Sequence, residues 1–273
     1  MPLSRLQSEL LRLLAAQRNP DSYVAGAIPL NRDGPRFSGD IDIFHDSDDR
    51  LATTAQADAS LIRSAGYGLE WLPSRGAGFY AAVVSGKDDK TQLEWAADTD
   101  FRFFPAQPDV LFGYVLHPAD LATNKAAAAS GRRVPRDIVD LVTIHERILP
   151  LGAVIAAAVG RFPGMSPEEM LDEIRRHATF SADEFRGLAM AAPIDARATQ
   201  RSIRRMLEDA ETFIRLLPSE AVGVLFLDEG KPVQPDLNQL GRYARRGGSR
   251  RGNWPSSPEI GSEMLKRYCR PEP

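Results

Sequence analysis

Leu3, Leu6, Leu10, Leu13 and Leu14 recur at helical spacing at the head of the chain, and Asn19-Pro20 closes the helix they predict. The period then drops to two. Residues 22–28 and 36–44 alternate apolar and polar positions and read as strands, followed by a polar turn carrying Asp46, Asp48 and Asp49. An alanine-rich helix is predicted over 51–65, ended by Gly66. Three strand candidates come next, over 67–72, 79–85 and 91–96, with Gly-Lys-Asp-Asp-Lys joining the last two as a hairpin. From Pro118 the pattern is mainly helical: 119–129, 135–148 and 151–159, then two helices opened by capping boxes at Ser166 and Ser181, then a long amphipathic helix over 197–217. A β-like run over 222–227 follows. The reading is an α/β (α+β) chain, a small mixed sheet with helices packed on one side followed by a mainly helical part. The boundary is placed near 148–152, giving a domain over 1–150 and a helical domain with a basic tail over 151–273.

Composition narrows the class. With 273 residues, 43% hydrophobic and 26% charged, the chain has enough apolar material for a sizeable core and no bias towards disorder. No apolar run approaches the eighteen or so residues of a membrane span, and the first residues lack a signal-peptide core, so a cytoplasmic location with no membrane partner is expected. One cysteine, Cys269, excludes an internal disulfide. His45, His117, His145 and His177 are scattered without paired spacing, which argues against zinc, and His45 reads as an exposed strand end. The net charge of −3 conceals an asymmetry, because Arg242, Arg245, Arg246, Arg250 and Arg251 head a strongly basic stretch that contains Trp254. Such a stretch either grips a phosphate backbone and stacks on a base or is a solvated tail.

Candidate chemistry centres on Arg-Phe-Ser-Gly-Asp-Ile-Asp-Ile-Phe, residues 36–44. Asp40 and Asp42 lie two apart on a strand, on one face, with Cα atoms about 6.6 Å apart. Hard oxygen donors held that close suit Mg²⁺ or Mn²⁺, which binds through one or two carboxylates plus substrate phosphates. By the same period Arg36 and Ser38 share that face if the strand begins early. The preceding strand ends in a turn at Gly26, whose backbone is open to a phosphate.

This order of a helix, a strand, a glycine turn and Arg-x-Ser-x-Asp-x-Asp resembles the nucleotidyltransferases of the DNA polymerase β superfamily. Within them it resembles the AbiEii/AbiGii, or MenT-type, toxins. Residues 120–140 extend the likeness, with a helix bearing Lys125, a loop with Arg132 and Arg133, and Arg-Asp-x-x-Asp opening the next helix. The resemblance covers roughly residues 20–145. It implies transfer of an NMP from an NTP to an acceptor such as the tRNA 3′ end, in a toxin with a cognate antitoxin. It implies metal ligation by Asp40 and Asp42, with Glu94 as a third acid on an adjacent strand; Ser38 and Lys125 on the triphosphate; and Asp137 in support. Of Asp137 and Asp140, one orients Lys125 or Arg36 and the other caps its helix. The turn departs from the family pattern, because Ala27 stands where a hydroxyl or glycine is usual and leaves a phosphate only backbone amides. Two other readings stay open: a protein or small-molecule hydroxyl as acceptor, and a catalytically silent protein of this fold that binds RNA or a partner.

Overall fold

The computed structural model describes residues 3–73, 78–98, 101–162 and 164–248. Arg250, Arg251, Trp254 and Cys269 lie outside the described residues. Helix α1 (Arg5–Leu14) opens with a capping box in which Ser4 Oγ accepts from the Gln7 amide and Gln7 Oε1 accepts from the Ser4 amide. The elements that follow are β1 (Ser22–Ala25), α2 (Ala27–Leu30), β2 (Asp40–His45), α3 (Leu51–Ser64), β3 (Gly68–Trp71), β4 (Phe79–Ser85), β5 (Lys90–Ala97), β6 (Gln107–Asp109) and β7 (Gly113–Val115). They form a seven-stranded mixed sheet in the order β3-β4-β5-β2-β1-β7-β6. The pairs β2–β5 and β1–β7 are parallel and the rest antiparallel.

Strict alternation along β2 and β5 decides which side chains go where. Ile41, Ile43, Leu93 and Trp95 are buried against Leu10 and Leu14 of α1 and Ile62 of α3. Their neighbours Asp40, Asp42 and Glu94 are thereby forced onto the opposite face. Under the first face Asp58 of α3 accepts two bonds from Arg18, at 2.6 and 2.7 Å, and one from Trp95 Nε1 at 2.7 Å, so this buried ion pair is tied to the sheet. His45 also points inward and is only 3% exposed, which corrects the expectation of an exposed strand end.

Helices cover both faces of the sheet, not one. The second layer consists of α4 (Pro118–Gly131), α5 (Pro135–Arg147), α6 (Leu151–Ala158), α7 (Pro167–His177), α8 (Ala182–Arg186) and α9 (Ala196–Arg215). Its core joins Leu121, Ile138, Leu149, Leu151, Ile155 and Phe213 to Tyr23 and Ala25 of β1, so apolar packing runs across residue 150 without a break. Every residue of α6 is buried, which explains why its sequence is apolar all round. The capping boxes at Ser166 and Ser181 form as predicted.

The chain closes with a second sheet of β8 (Val224–Asp228), β9 (Lys231–Val233) and β10 (Ala244–Gly247), ordered β10-β8-β9. Part of the supposed basic tail is therefore structured. Arg246 donates to the Phe103 carbonyl and lies 4.5 Å from the Phe104 ring centroid, and Arg245 stacks over Phe226.

Candidate active site

Parallel pairing of β2 with β5 sets Asp42 beside Glu94 and Asp40 beside Gln92. Three carboxylates thus share one face, and two of them sit on adjacent strands about 4.8 Å apart. Burial, then Glu94, then Asp40 push the Asp42 carboxyl up to about 6. Gln92 donates to Glu94, and Arg136 approaches Asp40 at 3.4 Å. The acids floor a cleft of about 550 Å³ whose far wall is α4. An oxygen-only donor set with a strained charge balance fits a hard divalent cation. Among the described residues no three acid, histidine or cysteine side chains form a ready-made cage. Asp40 and Asp42, with Glu94 behind them, would supply part of a shell for such a cation, completed by substrate oxygens.

Gly26 makes room for this arrangement. It sits at φ +69° between β1 and α2, and a Cβ built on it would lie 1.8 Å from Asp42 Oδ2. Any side chain here would occupy the space of the carboxylate, which gives the position its requirement for glycine.

Opposite the acids, Lys125 of α4 bridges Asp137 at 2.8 Å and Asp140 at 3.0 Å, both on α5. Asp140 also accepts two 2.8 Å bonds from Arg36 and one of 2.9 Å from Asn31, while Asp137 accepts from Arg132 at 2.8 Å. Burial pushes both carboxyls up, but the surrounding cations win and hold them below their ordinary value. Two expectations change here. Arg36 is buried on Asp140 and is absent from the cleft lining, because β2 begins only at Asp40 and the chain before it turns inward. Asp137 and Asp140 both hold Lys125, so neither serves only as a helix cap. Ser38 does line the cleft, with its hydroxyl donating to the Asp40 carbonyl at 3.2 Å. Lys125 reaches the same cleft while being 8% exposed.

No protein-family model and no curated protein matches the chain. Among solved structures it is similar to MenT4, a nucleotidyltransferase toxin from Mycobacterium tuberculosis, with a TM-score of 0.50 and 17% identity over 79% of this chain and 84% of that one. The fold is that of a MenT-type nucleotidyltransferase. JHP933 from Helicobacter pylori also matches, at TM-score 0.43 and 15% identity over 78% of this chain and 95% of that one.

Within this nucleotidyltransferase fold the cleft has cations to which the sequence assigned no role. Arg136 and Arg132 flank the acids from α5 and the loop before it, and their side chains are 40% and 51% exposed. At the other end Arg161, from the turn after α6, binds Asp98 and Asn124. Arg136 was readable as the cation of Arg-Asp-x-x-Asp. Arg161 carries no local signal, because only the packing of α6 brings it to the sheet.

Proposed function

We propose that this protein is a Mg²⁺-dependent nucleotidyltransferase that moves an NMP from an NTP to the 3′ end of a tRNA, acting in the cytoplasm as a toxin restrained by a cognate antitoxin. The observation that carries the reading is the placement of Asp40, Asp42 and Glu94 on one sheet face opposite Lys125, Arg132 and Arg136. Nucleotidyl transfer asks little covalent chemistry of a protein; it asks for an aligned acceptor oxygen and neutralised phosphate charge. A divalent cation bound at Asp40 and Asp42, with Glu94 in support, would supply Lewis-acid stabilisation of the reacting phosphate.

The residues around that position do the rest. Arg136 and Arg132 offer exposed guanidinium groups that pair with phosphate oxygens through two donors at once. Lys125, fixed by Asp137 and Asp140, keeps a positive charge on the wall facing the acids without needing to reorganise as charge develops. Ser38 sets the backbone entering β2, and the glycine turn at Gly26 lets substrate and Asp42 approach the same point. RNA as acceptor is the part of the reading that draws on the family resemblance.

Incubation of the full chain with each labelled NTP, Mg²⁺ and total tRNA tests the reading. Label on the tRNA 3′ end is the expected result. Label on protein would move the acceptor to a protein hydroxyl, and no label with any NTP would leave a silent protein of this fold. Asp40→Asn and Asp42→Asn should each abolish labelling while leaving the protein folded.

A further inference from the structure

Resting on the nucleotidyltransferase reading, we propose that Asn124, Arg161 and Asp98 form the base-reading end of the cleft, selecting a base that presents a carbonyl oxygen over adenine. The cleft has two chemically distinct ends. One carries the acids with Arg132 and Arg136, and suits a triphosphate. The other is walled by Phe44, Phe79, Leu121 and Phe162, and suits the flat faces of a base. Asp98 is four residues beyond Glu94, so the two ends lie roughly 13 Å apart along the strand direction, the span of a nucleoside with its first phosphate.

The polar trio is built to be rigid. The Asp98 amide donates to the His45 carbonyl at 2.9 Å, which pins Asp98 where β2 and β5 end. Arg161 donates to Asp98 Oδ1 and, at 2.7 Å, to Asn124 Oδ1. A guanidinium has donors and no acceptor, so the amide oxygen of Asn124 must face Arg161 and its NH₂ must turn away. That NH₂ makes no hydrogen bond among the described residues. Leu121, Asn124, Lys125 and Ala128 recur on one face of α4, and all four line the cleft. The small side chain of Ala128 leaves space on that wall.

With Asp98 Oδ1 taken by Arg161, the donors offered to a base come from Asn124 and Arg161. Guanine, cytosine and uracil each present a carbonyl oxygen with two lone pairs. Adenine has no carbonyl: its ring nitrogens accept one bond each, and the exocyclic amine beside N1 and N7 is a donor facing donors. A buried donor left without an acceptor weakens binding by about tenfold or more.

Equilibrium binding of ATP, GTP, CTP and UTP, with Mg²⁺, to the full chain and to Asn124→Asp and Asn124→Leu tests this. Asn124→Asp keeps the shape and the contact with Arg161 but replaces the free donor by an acceptor. The wild type should bind ATP at least about tenfold more weakly than the best of the other three. Asn124→Asp should narrow or invert that ratio, and Asn124→Leu should flatten it, with unchanged circular dichroism in both. ATP binding as tight as the rest in the wild type overturns the inference, as does an unchanged ranking in both variants. If the wild type binds none of the four, the nucleotidyltransferase reading falls first and takes this inference with it.

Discussion

A Cβ placed on Gly26 would sit 1.8 Å from Oδ2 of Asp42, so the turn after β1 and the central acid of β2 share one small volume. Pairing of Ala25 with Asp42 across the antiparallel β1–β2 ladder fixes that contact. Gly26→Ala should destabilise the fold by about 1–3 kcal/mol, through its positive φ and the displaced carboxylate, and should remove most transfer activity. Urea unfolding and the labelling assay read the two effects separately. Normal values for both would mean that the turn relaxes freely and does not position Asp42.

Lys125 is held between Asp137 and Asp140 and faces the cleft, so its removal has two consequences. Lys125→Ala should lower stability by about 1–3 kcal/mol, since each aspartate keeps one arginine partner but loses its shared cation. It should also weaken NTP binding. Lys125→Arg should rescue neither effect fully, because a planar fork does not fit the place of a compact ammonium between two fixed carboxylates. Full rescue by arginine in both urea unfolding and NTP binding would show that only the charge matters.

Arg36 should behave differently. Its guanidinium is held by Asp140 behind the cleft, so Arg36→Met should cost about 1–3 kcal/mol of stability, since Asp140 loses its bidentate partner but keeps Lys125 and Asn31. At temperatures where the variant remains folded, KM for NTP should change little. A large rise in KM with normal unfolding would return Arg36 to the substrate.

His45 gives the fold a pH dependence on its acid side. Burial, and then Arg18, hold its ring down at about 4, and neither ring nitrogen has a hydrogen-bond partner among the described residues. A depressed value in the folded state means that the unfolded chain binds the proton more readily between about 4 and 6.5. Stability is thus full above that window and is lost as pH falls through it. His45→Phe should match the wild type at pH 7.5 and exceed it by about 1–3 kcal/mol at pH 4. Parallel stability curves from pH 7.5 to 4 would show that the ring is protonated in place at no cost.

Arg246 reaches the Phe103 carbonyl and the Phe104 ring, and its contribution should therefore be to structure. Arg246→Ser should lower unfolding stability by about 1–2 kcal/mol. Arg136→Ala should leave stability within about 0.5 kcal/mol, since its side chain is largely in water, and weaken NTP binding. Exchange of these two outcomes would place the substrate cation on β10.

Much of the site was legible because it is local. Asp40 and Asp42 share a face by the two-residue period of a strand, and Leu93 and Trp95 fix the face of Glu94 by the same rule. Lys125, Asp137 and Asp140 stand at helical spacing on two adjacent helices whose bounds the sequence marks with Pro118 and Pro135. Short strands escaped. β6, β7, β9 and β10 have three or four residues each, too few for a period to register, so Arg245 and Arg246 read as a tail.

What the sequence by itself determined is the identity and local direction of each side chain, because periodicity is a property of neighbouring residues. Partnership is not local. Arg36 continues the alternation of β2 on paper, yet the strand starts four residues later and Asp140, 104 positions away, takes its charge. Arg161 meets Asn124 and Asp98 only because α6 is buried among α4, α9 and β8 and delivers its end to the cleft. A buried charge goes to whatever counter-charge the packed core sets beside it, and that choice is made by the tertiary structure.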